Sequence, residues 1–155
     1  MPNGISIALY QPDIAGNTGT ILRMAACLGI AVDLIEPAGF DLSDRALKRA
    51  GMDYLEMAAL RRHVDFETFE RWRRVAARRL IVFTTRSALP YTGFAFEPTD
   101  ILLFGRESAG LPDHVHDLAD ARLTIPMKGG GRSLNVAVAA GMAAGESLRQ
   151  LNLSS

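Results

Sequence analysis

The sequence predicts an α/β protein built as a parallel sheet with helices on both faces. Three observations carry this. Apolar runs of strand length alternate with segments of helical period along the whole chain. The runs lack polar alternation, as do strands covered on both faces. Three of them feed directly into glycine-bearing loops, PDIAGNTGT, FGRESAGLP and IPMKGGGRS. Loops in that position form a ligand crevice beyond the carboxyl ends of the strands.

Each element follows from its residues. Ile5 to Tyr10 is the first strand, and Pro12 marks the loop after it. Asn17 or Thr18 is placed to cap a helix that runs to Leu28 and stops at Gly29. Val32 to Ile35 is the second strand, ended by Pro37 and Gly39. Ser43 or Asp44 starts a helix to Ala50, and Leu55 to Ala58 reads as a short strand. Asp65 caps a helix through Arg78, with Phe66, Phe69, Trp72 and Ala76 on one face. Leu80 to Thr84 is a strong strand, Ser87 to Pro98 an irregular stretch, and Ile101 to Phe104 a central strand. Leu111 to Leu118 is a short helix, Leu123 to Ile125 the last strand, and Ser133 to Leu151 the last helix. No repeat, linker or low-complexity tract interrupts the pattern, so the 155 residues read as one domain.

Composition excludes several classes. With 48% hydrophobic and 22% charged residues the chain reads as a soluble globular protein. Its formal net charge is +0, so contact with RNA has to come from local patches. Cys27 is the single cysteine, which rules out an internal disulfide and fits a reducing cytosol. The start MPNGISIALY has no basic segment and too short an apolar run for a signal peptide, and no stretch has the length of a membrane span. Neither G-x-G-x-x-G nor G-x-x-x-x-G-K-[ST] occurs. His63, His114 and His116 make no metal-ligand set with Cys27, so no metal is expected, and His114 and His116, two apart on a short helix, are expected at the surface. Ser108 is not in a G-x-S-x-G elbow.

The three loops, in this order, resemble those of the SPOUT (knotted) RNA methyltransferases, in particular the SpoU- or TrmH-like ribose 2′-O-methyltransferases. The motifs that carry the resemblance are NTGTILRMA with Asn17 and Arg23, ILLFGRESAGLP with Gly105, Glu107, Gly110 and Pro112, and IPMKGGGRSLNVAVAAG with Ile125, Ser133, Leu134 and Asn135. The segment IEPAGFDLSDRALKRAGMDY is further similar to the small TrmL-type branch. That branch methylates the wobble ribose, on cytidine or uridine, of leucine tRNAs. The resemblance implies a C-terminal trefoil knot, S-adenosylmethionine bound within it, a homodimer, and tRNA as partner. Carried over by position, the cofactor site uses Phe83, Gly105, Ile125, Met127, Ser133 and Leu134. The catalytic set is Arg23, Asn17, Glu107, Ser133 and Asn135. Alternatives are methylation of another tRNA nucleotide or of rRNA, and a non-catalytic RNA-binding module on the same fold.

The residues admit plainer roles beside these. Asn17 is equally readable as a helix cap. Glu107 either pairs with Arg23 or holds loop N–H groups, and Ser133 is placed to cap the last helix. Ala137, Gly141 and Gly145 form a small-residue stripe that serves either a tight contact within the chain or a dimer interface, the preferred reading. Arg45, Lys48 and Arg49 cluster without balancing acids and are the favoured RNA contact. On the helix after Asp65, Glu67 with Arg71 and Glu70 with Arg74 stand one turn apart, which reads as a solvated face.

Overall fold

The computed structural model describes residues 4–40, 59–129 and 134–153 of the chain. The expected helix Ser43–Ala50, the expected strand Leu55–Ala58, the residues Arg45, Lys48 and Arg49, and Ser133 lie outside these residues.

Six strands form one sheet: β1 (Ser6–Tyr10), β2 (Ala31–Ile35), β3 (Ala59–His63), β4 (Leu80–Phe83), β5 (Ile101–Phe104) and β6 (Ala121–Leu123). Their order is β3-β2-β1-β5-β4-β6 and every pairing is parallel. The four described α-helices are α1 (Ala15–Leu28), α2 (Phe66–Val75), α3 (Asp113–Leu118) and α4 (Val136–Leu153). Alternate strand residues feed two cores. Ile7, Leu9, Ile81, Phe83, Leu102 and Phe104 meet Ile21, Leu22 and Ala25 of α1 and Ala140, Ala143 and Ala144 of α4. Ala8, Tyr10, Leu80, Val82, Ile101 and Leu103 meet Phe66 and Phe69 of α2 and Val115 of α3. The sheet is thus covered on both faces, as the strand composition requires.

Local chemistry sets the element ends, and some depart from the sequence reading. α1 starts at Ala15 behind Ile14, without a side-chain cap, so neither Asn17 nor Thr18 caps it. Its end is as expected: Gly29 takes φ 70° and its N–H returns to the Ala25 carbonyl. Asp65 caps α2 by accepting from the Thr68 N–H at 2.8 Å. That helix stops at Val75, because Ala77 turns left-handed at φ 56°. Ala76 is therefore exposed, while Arg78 is buried and donates to the carbonyls of Thr99 and Gly4. α2 is also less solvated than its charges suggest. Glu70 and Arg73 are buried together at 2.6 Å, and Arg74 takes the outer place at 3.5 Å from Glu70. β6 lies two residues earlier than the expected Leu123–Ile125.

β3 was not foreseen at 59–63. Asp33 explains it. This fully buried β2 carboxylate accepts from Ser6 Oγ at 2.9 Å, from Arg61 Nε at 2.8 Å and from Arg61 Nη2 at 3.1 Å, and is 2.8 Å from His63 Nε2. His63 is buried by this bond and by ring contacts with Phe69 and Trp72. Burial disfavours ionisation of Asp33, but the bonds from His63, Arg61 and Ser6 outweigh it and hold its pKa below the ordinary value. Its contribution to stability is therefore complete above the unfolded carboxylate value of about 3.9 and is lost as pH falls through the lower folded value. Asp33→Ala strands a buried imidazole and a partly buried guanidinium. The expected loss is about 3–5 kcal/mol of unfolding free energy, read from urea denaturation at pH 7.

Candidate active site

The loops that leave β1, β4, β5 and β6 surround one cavity of about 650 Å³ at the carboxyl ends of the strands. Ile14 and Asn17 come from the first, Thr84 to Arg86 from the second, Gly105 to Leu111 from the third, and Ile125 and Met127 from the last. Leu134, Asn135, Val136 and Ala139 close it at the start of α4. The three glycine loops singled out in the sequence therefore share one crevice.

They are joined by a chain of side-chain hydrogen bonds. Glu107 accepts from the Asp13 N–H at 3.1 Å with one oxygen and from Asn17 Nδ2 at 3.3 Å with the other. Asn17 Oδ1 accepts from Asn135 Nδ2 at 3.0 Å. Asn135 Oδ1 accepts from the N–H groups of Ala137 at 2.8 Å and Val138 at 3.3 Å, and so caps α4. This decides several open readings. Asn17 is spent on a contact between loops, not on its own helix. Glu107 holds a loop N–H. The helix expected from Ser133 begins at Val136, with Asn135 as its cap.

A second clamp lies beneath the first. Asp13 accepts from Ser108 Oγ, and Arg106 reaches Gln11 Oε1 at 3.2 Å and Asp13 Oδ2 at 3.7 Å. Hydrogen bonding with Glu107 and then with Ser108 holds the Asp13 pKa below the usual carboxylate value, and the Arg106 guanidinium adds to this. The loop after β5 is pinched shut by Arg106 and Gly110, which exchange backbone hydrogen bonds at 3.0 and 2.8 Å. Gly110 takes φ 65° there.

All five described residues expected at a cofactor (Phe83, Gly105, Ile125, Met127 and Leu134) line the cavity. Phe83 is stacked on Phe104 with ring centres 5.0 Å apart. Asn17, Glu107 and Asn135 line it as well, whereas Arg23 is exposed on α1 and is not among the lining residues. Among the described residues no group of three His, Cys, Asp or Glu side chains is placed to hold a metal ion. No helix of the described residues is long and apolar enough to cross a membrane.

Residues 4–145 match the SpoU rRNA Methylase family. The chain belongs to that family. A relative from Beijerinckia indica subsp. indica, named tRNA (cytidine(34)-2'-O)-methyltransferase, is 58% identical over 145 residues, 94% of this chain and 91% of its own. A solved structure described as structural insights into the 2-OH methylation of C/U34 on tRNA superposes with a TM-score of 0.89 at 43% identity, covering 98% of this chain and 99% of that one. An AdoMet-bound rRNA methyltransferase from Sinorhizobium meliloti superposes at 0.86 with 29% identity, over 97% of this chain and 58% of that one.

One lining residue of this SpoU family member went unseen in the sequence. His116 was expected at the surface but is only 5% exposed and lines the cavity from α3. Burial, then Arg86 and Arg122, hold its pKa below the ordinary imidazole value, with Asp113 and Asp117 opposing. Two histidines two apart on a short helix gave no signal of which one turns inward.

Proposed function

We propose that the protein is a tRNA 2′-O-methyltransferase that uses S-adenosylmethionine to methylate the wobble nucleotide, cytidine or uridine 34, of leucine tRNAs. One observation carries the reading: the three motif loops wall a single cavity in a chain 58% identical to a tRNA (cytidine(34)-2'-O)-methyltransferase. The rRNA-acting neighbour favours it further, because this chain spans only 58% of that protein.

The cavity suits the cofactor. Its volume of about 650 Å³ lies within the range of about 300–1,000 Å³ usual for such ligands. Phe83, Ile125 and Leu134 offer apolar wall for an adenine, and Gly105 brings bare backbone to the lining. When bound, S-adenosylmethionine supplies an activated methyl group on sulfonium sulfur. The chain then has to hold the ribose 2′-oxygen in line and favour loss of its proton. Glu107, Asn17 and Asn135 fix the loops against one another, so the walls need not reorganise during reaction. Arginine is too weak a base to take the proton. Arg23 instead orients the substrate phosphate and ribose and stabilises negative charge growing on the 2′-oxygen, and Ser133 joins in positioning the phosphate.

The reading includes one domain over residues 1–155, a cytoplasmic setting, RNA contacts through Arg45, Lys48 and Arg49, and a C-terminal trefoil knot. Support for the knot is the grip of the β4–β5 connection on the chain beyond β6. Leu89 and Tyr91 bond Thr124, and Phe94 and Phe96 bond Gln150 of α4. A homodimer is part of it too. A Cβ added at Gly141 or Gly145 would meet nothing within 4 Å, so neither glycine serves a tight contact among the described residues, although Ala137 packs against the core. Val138 and Met142 beside it are 51% and 40% exposed. Gly141→Leu is expected to shift the protein from dimer to monomer in analytical ultracentrifugation and to lower activity in parallel; an active dimer would remove this face from the interface.

The deciding experiment gives the purified protein methyl-labelled cofactor and bulk tRNA, then maps the label. Label is expected on the ribose of nucleotide 34 in leucine tRNAs. Label elsewhere would change the substrate, and no transfer to any RNA would end the reading.

A further inference from the structure

We propose that His116 is a binding residue of the methyl-donor site, its ring N–H donating to the carboxylate at the amino-acid end of S-adenosylmethionine. The inference rests on the donor reading above. It starts from an imidazole that is 5% exposed, lines the cavity, and makes no hydrogen bond among the described residues. A buried polar group without a partner costs free energy. His63, the other buried histidine, has its partner in Asp33 at 2.8 Å. Among the described residues His116 has no such side-chain partner, and it borders the cavity.

The charges around it select the ligand group. Arg86, on the loop after β4, lines the same end of the cavity, and Arg122 of β6 donates to the His116 carbonyl at 2.7 Å. Two acids stand on the histidine's own helix. Asp113 is 83% exposed and tied to Arg86 at 2.8 Å, and Asp117 is exposed to solvent. Their outward position leaves the two guanidiniums dominant at the ring, which favours the neutral imidazole, a single N–H donor in positive surroundings.

The far end of the cavity differs: Glu107 is the only acid among its described lining residues. The α3 end therefore carries Arg86 with no described lining acid beside it, whereas at the other end Glu107 stands next to Arg106 on the same loop, so a free anion is better received at the α3 end. The donor carries a cationic sulfonium near its centre and, at its amino-acid end, an α-ammonium beside a carboxylate; the carboxylate is its one anionic group and the one that an N–H donor near Arg86 can receive. The depth of His116 favours this small ligand over an RNA phosphate, since a nucleic-acid backbone runs over the surface.

The test compares S-adenosylhomocysteine with 5′-methylthioadenosine, which keeps the adenine, ribose and thioether but lacks the amino-acid end. In calorimetry on the full chain, His116→Leu is expected to weaken S-adenosylhomocysteine by about tenfold or more, the loss typical of a hydrogen bond to a charged group. Methylthioadenosine should be unaffected within about twofold, and His116→Gln, which keeps a donor, should recover part of the loss. A second readout needs no variant to bind. In the wild-type protein, NMR titration of the imidazole should show its pKa raised by S-adenosylhomocysteine and unmoved by methylthioadenosine, because only the former brings a carboxylate to the ring.

Equal weakening of both ligands, or of neither, would overturn the assignment. So would a change confined to the KM for tRNA, which would make His116 an RNA contact. Failure of the wild type to bind either ligand, with or without tRNA, would instead overturn the donor reading and this inference with it.

Discussion

Arg23→Ala is expected to bind S-adenosylhomocysteine within about twofold of the wild type and to lose about a hundred-fold or more in kcat. The separation follows from position. Arg23 is exposed on α1, six residues beyond Asn17, or about 9 Å along the helix axis, and the cavity lining does not include it. A ligand confined to the cavity therefore does not need it. Removing an aimed donor from a site of developing negative charge typically costs about 10²–10³ in kcat. Arg23→Lys should recover only part, because an ammonium keeps the charge but lacks the planar fork that grips a phosphate. Calorimetry and single-turnover assays on the same preparations give the two numbers. Normal turnover in the alanine variant would remove Arg23 from the mechanism, and lost donor affinity would move its role to the cofactor. Because the cavity lining of its own chain leaves Arg23 out, the proposed mechanism relies on bound RNA, or on the second subunit of the proposed dimer, to bring the 2′-oxygen within reach of both.

What the sequence made legible is what local pattern encodes. β5 was read at its observed bounds, because ILLF is apolar throughout and is buried throughout. Asp65 and Gly29 marked helix ends by short-range chemistry that needs no partner far along the chain. β3 shows the opposite case. ALRRH carries three basic or titratable residues in five, and its strand is half-exposed at the sheet edge. It is anchored by Arg61 and His63 to Asp33, 28 and 30 residues away, and no local period reports such a bond. Asn17 failed as a cap for the same reason. Its amide is taken by Glu107 and Asn135, 90 and 118 residues away, and a long-range demand of this kind overrides a cap preference of about 1 kcal/mol.

The same division runs through the site. Motif loops could be found because glycine and strand ends are local signals, and all three converge as the strand ends direct. Their mutual bonding could not be found. The line from Glu107 through Asn17 to Asn135 exists only once β5 stands beside β1 and α4 has been brought back against α1. Depth was equally hidden. His116 and His114 differ in nothing that composition records, yet one lines the cavity and the other is exposed with its ring edge to Phe66.

The largest loss from a single methyl group is expected at Gly105. A Cβ there would lie 2.5 Å from the Gly110 carbonyl carbon, 2.8 Å from its Cα and 2.9 Å from its oxygen. These are backbone atoms, pinned by the paired hydrogen bonds between Arg106 and Gly110, so no side chain can swing aside to make room. Gly105→Ala has to open the loop, and Glu107 moves with it. The carboxylate would then lose its reach to the Asp13 N–H and to Asn17, and the link to Asn135 at the head of α4 would break. A displacement of about 1 Å at such a site costs about 10²-fold in rate, and the narrowed cavity should weaken S-adenosylhomocysteine as well. The sheet should survive, because β5 is buried and paired on both sides before the loop begins. Gly110→Ala is the control that separates space from strain. Its φ of 65° makes alanine unfavourable, by about 1–2 kcal/mol, but its Cβ would meet nothing within 4 Å. That variant should unfold earlier and, when folded, bind and turn over far better than Gly105→Ala. If the two were equally inactive, with Gly105→Ala as tightly bound to S-adenosylhomocysteine as the wild type, the close approach of Gly105 to Gly110 would not be what shapes the donor pocket.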